Sequence, residues 1–294
     1  MALDRTSSCK INLLLNVLGP RPDGYHDLET VLHPVGLCDR LEFERSAAGI
    51  AFSCNDPKLP IDGRNLVVRA AQRFLAEAGL TEGVRLRLDK RIPVAAGLGG
   101  GSGNAAAALL GLNELFEHPL SANQLARLAS KLGADVPFFL QPAPALATGR
   151  GEHVRSLDWF PALHRAWLLL IHPGFGIPTA WAYQSLKRFP EALHGQPGRA
   201  QRLVEHLRSE TLADLSGKLY NSLETPAFAK HPILALYQEF LRAAGAAAVL
   251  MSGSGSATFA LAGNENTARE LRDRFLSHFG NTPWTAVLPV EPPR

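Results

Sequence analysis

Cysteine is scarce: the 294 residues hold three, Cys9, Cys38 and Cys54, with neither a CxxC pair nor a Cys/His ligand spacing among them. An odd, unspaced set fits reduced thiols in a cytosolic protein better than a disulfide framework or a zinc site. Aromatic residues make up only 7%, so composition marks no aromatic-rich binding surface. Excess charge is nearly absent too. The 30 Lys and Arg stand against 27 Asp and Glu, a formal +3, with no run of five or six like charges that could act as a nucleic-acid tail. Long apolar runs are missing: Ile11–Leu18 is interrupted by Asn12 and Asn16 and is followed by no small-residue cleavage site. Neither a bilayer-spanning helix nor a secretory leader is expected, and neither membrane nor nucleic acid is expected as a partner.

What is present is globular. With 46% hydrophobic and 19% charged residues, and 26 Gly and 21 Pro spread along the chain, disorder, collagen and coiled coil are excluded as descriptions of the whole. The length suits one large or two modest domains.

Short strands are expected at Lys10–Leu18, Arg40–Arg45 and Gly49–Cys54, an amphipathic helix at Asn65–Leu80 ending on Gly79, and an alternating strand at Val84–Lys90. A glycine-rich turn, Gly97–Gly103, leads into a helix at Asn104–Phe116. Ser121 and Gln124 stand at capping-box spacing before a helix to Leu132 that Gly133 ends. Further on, strands are expected at Trp167–His172, Ala247–Met251, Ala257–Ala262 and Trp284–Val290. Helices are expected at Pro178–Leu186, Arg199–Arg208, Ile233–Ala244 and Thr267–Phe279, the last with Thr267 and Glu270 at capping-box spacing. Segregated strands and helices argue for an α+β chain of two domains, residues 1–157 and 158–294.

The strongest local signal is Pro93-Val-Ala-Ala-Gly97-Leu98-Gly99-Gly100-Gly101-Ser102-Gly103-Asn104. Glycines and a serine just before a helix expose successive N–H groups at the positive end of its dipole, which suits polyphosphate oxygens. The plain alternative is a flexible strand-to-helix turn. Dense glycine and the small Ala105–Ala108 run favour the phosphate cradle. The segment lacks the Gly-Lys-Ser/Thr of a Walker A loop and the third glycine of the dinucleotide fingerprint, and the chain lacks the His-Arg-Asp and Asp-Phe-Gly of protein kinases.

Three ordered segments, Lys10-Ile-Asn12-Leu, the loop from Gly97, and Met251-Ser-Gly-Ser-Gly-Ser256-Ala-Thr-Phe-Ala260, together resemble the motifs of the GHMP small-molecule kinases. Arg21-Pro-Asp-Gly-Tyr25-His26-Asp-Leu-Glu-Thr30 and Leu132-Gly-Ala-Asp135-Val-Pro-Phe-Phe139 resemble the branch that acts on a diphosphocytidyl alcohol. Five blocks in order are more specific than one glycine loop. The resemblance implies an N-terminal domain like domain 2 of ribosomal protein S5, a C-terminal ferredoxin-like domain, and a cleft between them. It also implies transfer of the γ-phosphoryl of ATP to the 2-hydroxyl of 4-diphosphocytidyl-2-C-methyl-D-erythritol, in the non-mevalonate route to isoprenoids. Mg2+ would ride on the nucleotide without a protein metal site.

By the same resemblance Asp135 accepts or orients the hydroxyl proton, and Lys10 holds Asp135 ionised and faces the phosphoryl group. Tyr25 stacks on the cytosine and His26 bonds its edge. Tyr183, four residues after Thr179, forms a second wall, with Trp181 as its rival. Asn12 binds the methylerythritol hydroxyls, Asn65 and Lys90 flank the adenosine, and Pro93, Gly97–Gly103 and Asn104 hold the phosphates. Alone, Asp135 reads as a turn residue, Lys10 as a surface lysine, Tyr25 as a loop tyrosine and His26 as a solvated histidine. Ser252–Ser256 reads either as a hairpin turn or, by resemblance, as a support of the glycine loop. Gly151-Glu152-His153 matches a galactokinase triplet but lies after the phosphate loop, where chance explains it.

Three positions depart from the pattern: Gly103 where a serine is usual, His33-Pro34 where glutamine is usual, and Ser222 where aspartate is common. Two other functions stay open. One is a GHMP kinase for homoserine, mevalonate or a sugar, which leaves Tyr25-His26 without a nucleobase to recognise. The other is a silent nucleotide- or RNA-binding protein on an S5-like scaffold, which leaves Lys10 and Asp135 without use.

Overall fold

The structure, a computed structural model, describes residues 2–141 and 143–290. It forms two compact units that interleave along the chain: Met1–Cys9, Leu37–Pro93 and Gly99–Pro142 make one, and Lys10–Gly36, Val94–Leu98 and Ala143–Arg294 make the other. The long strands β1 (Ala2–Pro20) and β2 (His26–Ser46) give residues to both, so compactness partitions the chain differently from a cut at residue 157.

In the first unit β3 (Ile50–Cys54), α1 (Leu66–Ala78) and β4 (Gly83–Asp89) form a crossover, with β3 parallel to β4 and β4 antiparallel to β2. The alternation expected of β4 is met: Val84, Leu86 and Leu88 are buried, while Arg85 and Arg87 point out and pair with Glu44 and Glu42 directly across on β2. Helix α1 follows its local signals. Asn65 accepts the Val67 N–H at its start, and Gly79, at φ 66°, receives the chain in the left-handed conformation at its end.

The next helix, α2, spans Gly100–Leu115 and begins four residues before Asn104. The expected turn at Gly97–Gly103 is therefore shorter, and Gly100–Gly103 are the helix's first turn. Propensity argues against three glycines in one helical turn, but packing selects two of them, Gly100 and Gly103. A Cβ on Gly103 would lie 2.6 Å from the Ser8 carbonyl oxygen, and one on Gly100 would lie 3.0 Å from the Ile92 side chain. Helix α3 (Ala122–Leu132) starts with the expected capping box between Ser121 and Gln124. Phe43, Phe74, Leu86, Leu109, Leu112 and Val136 centre the core between these elements.

The second unit holds β5 (Ala145–Gly149) antiparallel to β2 and to β6 (His153–Ser156). Next come β7 (Trp167–His172), α4 (Thr179–Ser185), a short α5 (Pro190–Leu193), α6 (Arg199–Ser209), β8 (Tyr220–Asn221), parallel to β1, and α7 (Glu224–Lys230). Then follow α8 (Ile233–Ala243), β9 (Ala248–Met251), β10 (Thr258–Ala262), α9 (Glu265–Phe279) and β11 (Trp284–Pro289). The order β11-β7-β10-β9, with α8 and α9 as its helices, is the β-α-β-β-α-β arrangement of a ferredoxin-like sheet. Its core joins Leu169, Ile171, Val249, Tyr237, Leu241 and Phe275. Helix α9 starts two residues before Thr267, because the Asn264 side chain caps the Thr267 N–H and displaces the expected capping box. Among the described residues no helix is long and apolar enough to cross a membrane.

Gly111 of α2 tests how tightly the first unit is packed. A Cβ there would lie 2.4 Å from Cζ of the buried Phe43. Gly111→Ala is expected to lower the unfolding free energy by about 1–3 kcal/mol despite alanine's better helix propensity. Urea denaturation checks it, and an unchanged or higher midpoint would show that Phe43 yields.

Candidate functional site

In the second unit the Lys10 side chain is not on the surface; the residue is 3% exposed. Its ammonium donates to Asn12 Oδ1 at 2.5 Å and to the Gly97 carbonyl at 2.9 Å, and its own N–H donates to the Leu98 carbonyl at 2.9 Å. Asn12 lies two residues along β1, so both side chains share one face of the strand. The Asn12 amide donates to Thr30 Oγ1 at 2.9 Å, and the Thr30 hydroxyl donates to the Leu14 carbonyl at 2.5 Å. The Ser252 hydroxyl closes the ring: it accepts the Asn12 N–H at 3.3 Å and donates to the Gly97 carbonyl at 3.0 Å.

Residues 252–256 thus lie against the start of the glycine loop. Gly97, at φ 77°, has no room for a Cβ, which would fall 2.0 Å from the Ser252 carbonyl oxygen. Asn221 of β8 supports the far side, donating to the Met251 and Gly253 carbonyls at 2.8 Å each. The Thr179 and Ser254 hydroxyls are 3.0 Å apart.

Tyr25 is 57% exposed at the turn before β2, with the Arg150 guanidinium carbon 4.8 Å from its ring centroid. His26 and Tyr183 face each other with centroids 5.3 Å apart and planes tilted by 35°. Trp181 instead carries the Lys230 ammonium 4.2 Å from its ring centroid, so of the two rivals it is Tyr183 that stands beside His26. Burial, with a smaller contribution from the Lys187 charge, lowers the His26 pKa and favours neutral imidazole. Its Nε2 is buried with no hydrogen-bond partner among the described residues.

A cavity of about 340 Å3 opens nearby on β1, β2 and β5, lined in part by Asp27, Glu29 and Thr148. Its acids are engaged. Arg21 binds Asp27 at 2.5 Å, and Glu29 accepts the Asn16 amide and the Gly198 and Ala200 N–H groups at the start of α6.

In the first unit, helix α2 begins after Gly99, which is left-handed at φ 68° and makes no side-chain cap. The N–H groups of Gly100, Gly101 and Ser102 form the first-turn donor set suited to phosphate oxygens. The Gly103 N–H is already donated to the Gly99 carbonyl at 2.9 Å. Around this turn the expected side chains serve the scaffold. Lys90 pairs with the fully buried Asp39, whose carboxylate also accepts the Arg91 and Ile92 N–H groups and the Asn104 amide. Asn104 also donates to Ser7 Oγ, and the Asn65 amide donates to the Pro60 carbonyl. Asp39 was not found by sequence reasoning, and nothing in its spacing announces it. Asp135 sits in the turn between α3 and the short 3-10 helix Pro137–Leu140, in the first unit, whereas Lys10 and Asn12 belong to the second.

Residues 65–142 match the family model of the GHMP kinases N terminal domain, and residues 200–281 match that of the GHMP kinases C terminal. The chain is 42% identical over 279 residues to a 4-diphosphocytidyl-2-C-methyl-D-erythritol kinase of Synechococcus sp. (strain JA-3-3Ab), covering 92% of this chain and 88% of that one. A crystal structure of 4-(cytidine 5'-diphospho)-2C-methyl-D-erythritol kinase superposes with a TM-score of 0.80 at 39% identity, covering 98% of this chain and 99% of that one. The homoserine kinase of Cytophaga hutchinsonii, at 20% identity and a TM-score of 0.72 over 96% of this chain and 93% of that one, shares the fold.

Two positions noted as departures have physical accounts. The Ser222 hydroxyl accepts the Val17 N–H at 3.0 Å in a fully buried setting that would penalise a carboxylate. His33 is fully buried; its Nδ1 donates to the Pro34 carbonyl at 2.8 Å and its Nε2 has no partner among the described residues. Burial pulls its pKa down from 6.5 to about 4. The unfolded chain then binds a proton below pH 6.5 that the folded chain refuses until about pH 4, so stability falls as pH drops through that window. The full effect is about 3 kcal/mol. His33→Gln is expected to flatten this part of the stability profile, as read by urea denaturation at pH 7 and pH 4.5; equal slopes for both proteins would overturn it.

Proposed function

Because the chain belongs to the GHMP kinases, and among them to the 4-diphosphocytidyl-2-C-methyl-D-erythritol kinases, we propose that it transfers the γ-phosphoryl of ATP to the 2-hydroxyl of that diphosphocytidyl alcohol. The observation that carries this reading is the buried Lys10 ammonium held on the Gly97 carbonyl. It fixes positive charge at the entrance of a loop suited to polyphosphate. The acceptor oxygen forms its bond to the γ-phosphorus as the bond to the bridging oxygen of ADP breaks, and Asp135 takes the hydroxyl proton. Lys10 stabilises charge on the transferring group, and Asn12, tied to Lys10 and Thr30, orients the alcohol.

Gly97–Ser102 hold the phosphates through backbone N–H groups, with Gly103 giving close approach rather than a donor. Pro93 delivers the chain into this turn, and Asn65, Lys90 and Asn104 shape the adenosine side. Tyr25 stacks on the cytosine, His26 binds its edge through the unpartnered Nε2, and Tyr183 and Thr179 complete the base and sugar contacts. Residues 1–157 then carry the nucleotide elements and residues 158–294 complete the substrate set.

Among the described residues no three His, Cys, Asp or Glu side chains gather to hold a metal ion. The donors at the α2 start suit phosphate oxygens, so Mg2+ fits as a passenger on ATP, where it neutralises phosphate charge. We place the reaction in the cytoplasm, with two small molecules and no nucleic acid as partners.

A panel of the diphosphocytidyl alcohol, homoserine, mevalonate and a hexose, read by ADP release, tests the reading. Turnover is expected on the first; none above the no-enzyme blank, or faster turnover on another alcohol, overturns it. Asp135→Ala is expected to lower kcat by about 10²–10⁴ while ATP affinity stays near wild type, and retention of full rate removes Asp135 as base.

A further inference from the structure

The Gly149–His153 turn, whose Gly-Glu-His triplet has no part in the proposed chemistry, places a cation against Tyr25. Strand β5 is registered on β2, with Leu28 opposite Gly149 and Glu29 opposite Thr148, so Arg150 leaves the sheet beside the turn that carries Tyr25. Gly149, at φ 72°, lets the chain fold back tightly: a Cβ there would meet Glu152 Oε2 at 2.9 Å and His153 Cδ2 at 2.8 Å. Glu152 then holds Arg150 twice, accepting its backbone N–H at 2.6 Å and its guanidinium Nε at 3.4 Å. On the other side the Tyr25 backbone is pinned by the Arg21 N–H to its carbonyl at 2.7 Å and by Asp23 to its own N–H at 3.1 Å. The exposed ring has the guanidinium on one face.

We propose that Arg150 is a positioning residue for the pyrimidine nucleotide: braced by Glu152, its guanidinium backs the Tyr25 ring so that the opposite face is presented flat to the base. The proposal rests on the reading above that Tyr25 meets the cytosine. A tyrosine on a turn otherwise turns about its side-chain bonds, and holding it beforehand removes that freedom from the binding step. A guanidinium does this better than an ammonium because it is planar and stacks on aromatic faces. The effect belongs to nucleotide recognition, leaving the phosphoryl-transfer step alone.

Arg150→Met, Arg150→Lys, Tyr25→Ala and the double variant Arg150→Met/Tyr25→Ala test this in the full chain. For Arg150→Met the KM of the diphosphocytidyl alcohol is expected to rise roughly 3–10-fold, the range for losing one preorganised stacking partner, with kcat and the KM of ATP unchanged. Arg150→Lys is expected to fall between wild type and Arg150→Met. In the Tyr25→Ala background the Arg150→Met change should add nothing. Titration with cytidine diphosphate gives the same comparison without turnover. An Arg150→Met penalty that persists in full without Tyr25, or that appears in kcat or in the KM of ATP, overturns the proposal. If the wild type turns over the diphosphocytidyl alcohol and Arg150→Met binds as well as wild type, this proposal fails alone. Should the wild type neither turn over the alcohol nor bind cytidine diphosphate, the reading of the substrate fails first.

Discussion

A single carbonyl oxygen, that of Gly97, organises the polar cluster of the second unit. It accepts from the Lys10 ammonium and from the Ser252 hydroxyl, and each donor is bound in turn to Asn12. A buried ammonium is costly unless its donors are met. Two of its acceptors are neutral oxygens on separate segments, and those two bonds join β1 to the start of the glycine loop. The arrangement needs glycine at 97, because the Ser252 carbonyl occupies the place of a Cβ. It needs Asn221 as well, which holds the carbonyls of Met251 and Gly253 and thereby the loop that presents Ser252.

What could be read from the sequence was whatever is encoded locally. Helices α1 and α3 declare themselves through Asn65, Gly79 and the Ser121/Gln124 box, and β4 through strict alternation, because each signal lies within a turn or two of the residue it places. The start of α2 was not legible. Most of that helix is buried on all sides, so it shows no polar face, and Gly100 and Gly103 of its first turn are glycine because Ile92 and Ser8 press against them from elsewhere in the chain. The Thr267 spacing misled for the converse reason: a better capping residue, Asn264, stood three positions earlier. β8, a two-residue strand, carries too little pattern to be seen.

The candidate site divides the same way. Motif order brought Lys10, Asn12 and the glycine loop to attention, and the structure adds that Lys10 is buried and shared between Asn12 and Gly97. Tyr183 and Trp181 lie on α4 two residues apart, and their different neighbours, His26 and Lys230, are relations with no sequence spacing. Asp39 stayed hidden because its role is to satisfy donors spread from Lys90 to Asn104, a relation with no sequence spacing.

That hidden carboxylate changes how the glycine loop is understood. Lys90 and Asn104, which stand on either side of the loop in sequence, are bound to Asp39, and Asn104 also to Ser7. Their hydrogen bonds hold the segment after β4 and the first turns of α2 in a fixed relation within the first unit. That leaves main-chain N–H groups as the donors presented at the helix start, with a direction set by helix geometry rather than by rotamers. A serine in place of Gly103 would therefore bring little as a ligand and much as a clash, because the approach of the Ser8 carbonyl leaves no space for its Cβ. The missing hydroxyl at 103 is accordingly a consequence of how closely β1 packs on α2 within the first unit.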